Sequence, residues 1–306
     1  MNWFILSVIA LLCWSGSDLF SKIGCRDSSD KYSQFKMATA VGVVFGLHAL
    51  YEIIFNNVEI TWDVMLTYLP VSLLYIFSMI LGYVGLRYIE LSVSSPICNA
   101  SGALVAILSI IFFGIGDTSP WMLLAVVLVC GGVIGLGIVE SREDDELRLE
   151  RQKISNYKYS KSWLALALPI AYCILDAAGT FADSIVLENL DENSANVAYE
   201  LTFAAVGLIC FIITFIGWLK KKHTYSLKNE PAKYVGAIFE TAGQFAYIFA
   251  LADEEHVMFS APIISSYCVV SVLWGRLFLK EKLSWKHYLT IGIAIVGIAI
   301  IGLLDP

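Results

Sequence analysis

The run ESREDDELRLERQKISNYKYSKS, residues 140–162, is the longest polar stretch in the chain. About 140 residues precede it and about 140 follow it, and each block reads as five apolar spans. Positions at matching offsets in the two blocks carry related residues. The run therefore reads as a linker between two copies of one unit: a five-helix repeat over 1–139, the linker over 140–162, and a second five-helix repeat over 163–306.

Composition agrees with spans that cross a membrane. The chain has 306 residues, 58% apolar and 15% charged, with mean hydropathy +0.72. Soluble domains are about 45–50% apolar and 25% charged. The charges are also bunched, leaving apolar runs of about 20 residues, the length that crosses a bilayer core. A net charge of −7 argues against nucleic acid, which needs a basic face. All seven cysteines but Cys25 fall inside apolar spans, and none forms a CxxC pair, so neither a disulfide framework nor a metal knuckle is expected. The opening MNWFILSVIALLCW lacks a basic leader and reads as a retained first membrane helix.

The spacing predicts ten spans, near 3–22, 34–55, 66–87, 92–113, 120–139, 163–187, 195–219, 233–252, 257–279 and 285–303. All 20 Lys and Arg residues lie in or at the edges of the odd-numbered loops, while the even-numbered loops carry acids such as Glu59, Asp63, Glu188, Asp191 and Asp253. A missed span would scramble this parity. The positive-inside rule then puts the odd loops and the linker in the cytoplasm and both termini outside, in a plasma (inner) membrane.

From the third span onward the two halves align at an offset of 166 without a gap. LSVSSPI (91–97) falls on VMFSAPI (257–263), Pro96 on Pro262 and Gly131 on Gly297. Lys22, Lys36 and Arg87 match Asp183, Glu200 and Asp253, so bases at one membrane face become acids at the other. Five spans is an odd number, and a second copy would enter the membrane upside down. The sign flips are what a positive-inside bias leaves on such an inverted repeat. The expected fold is all-α integral membrane, ten transmembrane helices as two inverted-topology five-helix repeats.

Two five-span halves, the edge signature GYVGLRYIELSVSSPI with its partner IFALADEEHVMFSAPI, and LFLKEKLSWKHYLTIGIAIVGIAIIG together resemble the EamA-type transporters of the drug/metabolite transporter superfamily. Lys280 stands where that family usually has Gly, Glu281 keeps its acid, and FFGIGDTSPW departs further. The resemblance implies a secondary transporter, no enzyme, in which the fifth and tenth spans pack together with Gly292 and Gly297 facing the contact. It also implies that Tyr83 and Tyr267 lie on spans bordering a central cavity. Gly131 and Gly135 form a small-xxx-small face suited to close helix packing.

A charge near the bilayer centre costs about 2.5–3.5 kcal/mol on insertion scales, so it usually faces a cavity. Asp176, Glu240 and, nearer a helix end, Asp18 are the deep acids, and no Lys or Arg lies equally deep. Glu240, Gln244 and Tyr247 share a helix face, as do Tyr172, Asp176, Thr180 and Asp183, and Asp18 shares one with Trp14. Acids with Trp and Tyr suit an organic cation through charge and cation–π attraction. Single aromatics are equally explained by packing or by the interfacial belt. Asp183, Glu200, Asp253 and Glu52 read as shallow anchors near helix ends, and Lys22, Lys36, Arg87 and Arg276 as side chains that snorkel to the cytoplasmic surface.

The candidate solute- and proton-binding residues are thus Asp176, Glu240, Asp18, Trp14, Tyr83, Tyr172, Gln244, Tyr247 and Tyr267. The expected function is alternating-access transport of a small cationic or zwitterionic, amine-like solute, or H+-coupled transport through the same carboxylates. An exporter of amino-acid-like or nucleobase-like metabolites or of drugs, and a non-transporting scaffold or sensor, remain open alternatives. The expected partners are a small-molecule solute, H+ and the lipid bilayer, with a homodimer left open. No cofactor and no metal is expected.

Overall fold

The computed structural model describes residues 2–25, 30–85, 91–115, 118–142, 163–225, 230–278 and 283–304. Arg87, the bulk of the linker (143–162) and the Lys280–Glu281 turn lie outside the described residues. Among those described, all regular structure is helical. The first half holds α1 (Trp3–Gly24), α2 (Ser33–Phe55), α3 (Trp62–Gly85), α4 (Leu91–Asn99), α5 (Ser101–Phe113) and α6 (Pro120–Ser141). The second half holds α7 (Trp163–Leu187), α8 (Glu192–Leu219), α9 (Glu230–Leu251), α10 (Val257–Ser265), α11 (Tyr267–Phe278) and α12 (Trp285–Leu304), with a short 3-10 turn before α10. Each helix of the first half has its mate six places later.

Among the described residues, nine of the ten spans are long and apolar enough to cross a membrane. The remaining one, α9, the eighth span in order, has the same 22-residue length as α1 but carries Glu230, Lys233 and Glu240. It lies along α1 and α2 with Lys233 and Gln244 buried, while Ile238 and Phe239 are exposed. The outer faces of α2, α6 and α8 are apolar, with Leu47, Ile54, Val127 and Leu208 exposed. That is the pattern of helices solvated by acyl chains.

The fourth and ninth spans, expected as continuous helices, are each broken once, α4 from α5 at Ala100 and α10 from α11 at Ser266. These positions differ by the repeat offset of 166. The hydrogen bonding matches too: Ala100 N donates to the carbonyls of Pro96 and Ile97, and Ser266 N to those of Pro262 and Ile263. Side chains compete for the helix carbonyls at both places. Asn99 Nδ2 donates to the Ser95 carbonyl (2.8 Å) and Ser266 Oγ to that of Ile263 (2.6 Å). Such local side-chain bonds offer the backbone an alternative to the helix ladder.

Helix pairing follows the duplication. α1 lies along α9 as α3 lies along α7, and each pairing becomes the other when the halves are exchanged. α2 packs on its own mate α8, and α6 on its mate α12. Only mates can straddle a two-fold axis, so these two contacts mark where the pseudo-axis runs. Gly42 and Gly207 meet there, and a Cβ on either would lie 2.8 Å from the other's Cα. Lipid tails supply no hydrophobic drive for helix association, so close backbone approach at small residues carries much of the cohesion. The α6–α12 contact uses two of the four expected glycines, Gly135 and Gly297, and adds Gly132 in place of Gly131. Gly132 abuts Ala294, Gly135 abuts Thr290 and Gly297 abuts Ala125, whereas a Cβ on Gly131 or Gly292 would meet nothing within 4 Å. Helical phase decides this: a one-residue shift turns a side chain by about 100°.

Lys22, Lys36, Lys233 and Lys286 mark one end of the bundle, the basic end, and Glu59, Asp63, Asp191 and Asp253 mark the other, the acidic end. Lys36 does not snorkel. It is 4% exposed, and its Nζ donates to Asp30 (2.6 Å) and the Thr224 carbonyl (2.7 Å), with Glu230 at 3.3 Å. Glu230 in turn pairs with Lys233 at 3.2 Å. The cluster ties α2 to the α8–α9 connection, joining the two halves at the basic end.

Candidate functional site

A cavity of about 110 Å³ opens where the two broken spans approach each other. Its walls come from both halves. Trp14, Ser17, Asp18 and Ser21 of α1 line it at i, i+3, i+4 and i+7, one helix face. Glu240 and Gln244 contribute from α9, Tyr172 and Asp176 from α7, Tyr75, Met79 and Tyr83 from α3, and Tyr199 from α8. Ser95, Cys98 and Asn99 flank the first break, and Ser265 and Tyr267 the second. Gly243 lets Trp14 take its place: a Cβ there would lie 2.7 Å from the indole Nε1.

Two of the deep carboxyls accept a hydrogen bond from a serine. Asp176 Oδ2 accepts from Ser101 Oγ at 2.7 Å, at the first turn of α5. Asp18 Oδ2 accepts from Ser95 Oγ at 3.3 Å, and Asn99 Nδ2 lies 3.2 Å from the same hydroxyl. Ser17 of α1 and Glu240 of α9 line the same space. No Lys or Arg belongs to the described lining. Trp14 Nε1 and Gln244 Nε2 are buried donors without hydrogen-bond partners. Among the described residues no three His, Cys, Asp or Glu side chains stand close enough to share a metal ion.

Eight of the nine residues singled out in the sequence therefore border one space. Tyr247 stands one layer behind. Its ring packs 4.9 Å from that of Trp14, and its hydroxyl donates to Thr180 Oγ1 at 2.9 Å and pairs with the Tyr75 hydroxyl. Sequence reasoning missed Tyr75, Tyr199 and the serines and asparagine at the breaks. Two signals pointed to them. Tyr68, Tyr75 and Tyr83 recur near one face of α3, and Ser95, Asn99 and Ser101 cluster beside the repeat-aligned Pro96.

Toward the acidic end the cavity meets a closed layer. Asp183 is not a shallow anchor. It is 0% exposed, and Tyr68 and Tyr75 donate to its two oxygens at 2.6 and 3.2 Å. Tyr68 and Tyr75 belong to α3, Asp183 and Thr180 to α7 and Tyr247 to α9, so the layer joins the halves. Glu200, likewise 0% exposed, accepts from Asn196 at 3.1 Å and faces His48 Nδ1 at 2.8 and 2.9 Å. Glu52 is buried too, accepting from Asn56 at 2.8 Å with His48 Nε2 at 3.5 Å. The physical reason is lateral: depth along a helix says nothing about which side faces lipid. Asp253, by contrast, stays partly exposed and pairs with His256 at 2.7 Å.

The family profile described as EamA-like transporter family matches residues 1–138 and 162–303, the two halves on either side of the polar run. A solved structure titled only as a crystal structure of a protein covers 99% of this chain and 97% of its own, with a TM-score of 0.67 at 13% identity. At that identity the likeness shows the fold alone. No curated protein matches. With nearly its whole length matched, the chain belongs to the EamA-like transporter family, multi-pass membrane transporters of small solutes.

Proposed function

We propose that this transporter carries a small organic cation, amine-like, held in the central cavity by Asp18, Asp176 and Glu240 and by the aromatic walls. The observation that carries the proposal is the convergence of three carboxyls from α1, α7 and α9 on one space whose described lining holds no base. Buried charges without partners are costly, and a cation that enters supplies the partner. Trp14, Tyr172 and Tyr267 add ring faces for cation–π attraction. Protons compete with the cation for the same carboxyls, since like charges sharing a site disfavour full ionisation. Cation binding should therefore strengthen as pH rises through the carboxylate titration, and release of the cation should take up H+. That exchange would couple solute flux to a proton gradient. Alternation would rock the halves about the cavity, separating the tyrosine–Asp183 layer at the acidic end and the Lys36 cluster at the basic end in turn.

The test is a thermal-stabilisation screen of the purified protein against amines, amino acids and nucleobases at two pH values. A ligand at 100 times its Kd contributes about 2.7 kcal/mol. Saturable stabilisation by amines, stronger at the higher pH, is expected. Stabilisation confined to neutral or anionic solutes overturns the cation reading, and none by any solute favours a scaffold or sensor.

We also propose that the basic end, with the 140–162 linker, faces the cytoplasm and that both termini are external. The one-sided placement of all 20 Lys and Arg residues supports this. A tag at the C-terminus should react with an impermeant reagent in intact cells; protection that is lifted only by permeabilisation overturns the orientation.

A further inference from the structure

We propose that the solute is a short aliphatic diamine, carried as a dication with one ammonium at Asp176 and the other at Asp18 and Glu240. This rests on the cation reading above and narrows it.

Charge balance is the first argument. Three carboxyls face the cavity, and no described lining residue is basic. A monocation leaves two of them without an ammonium in the cavity, whereas a dication leaves one, and Lys22, one turn along α1 from Asp18, acts on that acid from outside the lining. Removing an uncompensated charge from a buried site is a large gain, so each added ammonium counts.

Geometry is the second. The carboxyls are held at two levels of the same broken span. Asp18 is anchored on Ser95 and Asp176 on Ser101. The break at Ala100 falls between these anchors, Ser95 belonging to α4 and Ser101 opening α5, so the two carboxyls are held by different segments of the span. Glu240 belongs to α9, which lies along α1, the helix that carries Asp18, and both line the cavity. Two acidic poles result, with Tyr172, Tyr267 and Trp14 among the walls. An alkyl chain between two ammonium groups matches acid–apolar–acid order, and the rings suit both its methylenes and its charged ends.

Size and sign narrow the class further. A cavity of ~150 Å³ accepts benzene, a six-heavy-atom solute. The 110 Å³ here has room for a diamine of similar heavy-atom count. A diamino acid would place its carboxylate among three acids, with no Lys or Arg in the described lining to pair it. An inorganic dication lacks its ligand set, since no three His, Cys, Asp or Glu side chains among the described residues stand close enough to share one ion.

The experiment titrates the purified full chain with putrescine, cadaverine, butylamine, lysine and Mg2+. Putrescine or cadaverine should bind at least about tenfold tighter than butylamine, the effect of one further charge-assisted contact. Lysine should bind more weakly than cadaverine, from which it differs by a carboxylate. Asp176→Asn should abolish the advantage of putrescine over butylamine, and Asp18→Asn gives the same test from the opposite pole if the first variant does not fold. Butylamine binding as tightly as putrescine overturns the diamine and leaves the cation reading standing. Lysine binding more tightly than cadaverine, or Mg2+ displacing putrescine at equal concentration, also overturns it. If no amine binds, the cation reading fails with it.

Discussion

Asp176 and Asp183 stand seven residues apart on α7, about two helical turns along one face, and their surroundings are opposite. Asp176 leans on one hydroxyl, that of Ser101, and looks into open space. Asp183 has both oxygens taken by tyrosine hydroxyls and is fully buried. The first carboxyl has capacity to spare for a ligand, while the second has its capacity taken up in holding α3 to α7. Burial of an acid in a membrane bundle is therefore not in itself a sign of a binding group. The satisfied or unsatisfied state of its oxygens separates the two cases.

Substitutions at the two positions should diverge, and the largest effect is expected at the cavity. Asp176→Asn and Glu240→Gln keep shape and hydrogen bonding but remove charge. Each should weaken binding of the preferred amine roughly 10–100-fold, the effect of losing a hydrogen bond to a charged group worth about 1.5–3 kcal/mol. The pH dependence of binding should flatten while the thermal midpoint without ligand stays near that of the unaltered protein. Titration calorimetry beside a melting curve reads both. A melting loss with unchanged affinity would move Asp176 into the class of Asp183.

Next in size is an effect on assembly that leaves the site alone. In Gly42→Ala the new Cβ would lie 2.8 Å from the Gly207 Cα, backbone that cannot give way cheaply. Overpacking of this kind costs about 1–3 kcal/mol. Gly131→Ala, with nothing within 4 Å, should stay within about 0.5 kcal/mol of the unaltered protein. Melting curves of the two variants compare the axis contact with a position the repeat alignment alone would have favoured.

Smaller again is Tyr68→Phe, which removes one donor from Asp183. Hydrogen bonds between membrane helices average about 0.6 kcal/mol and reach about 1.7. A loss of stability in that range, with solute affinity within about twofold, is expected from the closed layer. A tenfold change in affinity would instead tie Asp183 to the cavity through Tyr75. The smallest effect on binding should come from Glu200→Gln. That carboxyl is held by His48 and Asn196 and belongs to no wall of the central cavity. Affinity should be unchanged, and any pH dependence of stability that the substitution removes belongs to the His48–Glu200 pair.

The sequence by itself determined the membrane class, the span count, the duplication and its inversion. These follow from where charges are excluded and which sign survives at each helix end, properties set by the solvent around the chain. It also marked Asp18, Asp176 and Glu240, because a deep charge is costly wherever it points. Only the tertiary structure decided which side each residue faces. Lys36 and Asp183 sit at depths where the sequence allows escape to an interface, yet neighbouring helices close over both. Gly132 and not Gly131 meets α12, a matter of one residue of helical phase. The breaks at Ala100 and Ser266 lie between the two: their repeat-aligned prolines are legible in the chain, but the competing bonds of Asn99 and Ser266 appear only once the helices are formed. Lateral orientation and side-chain pairing depend on neighbours distant in sequence, and no local pattern of charge or hydropathy encodes them.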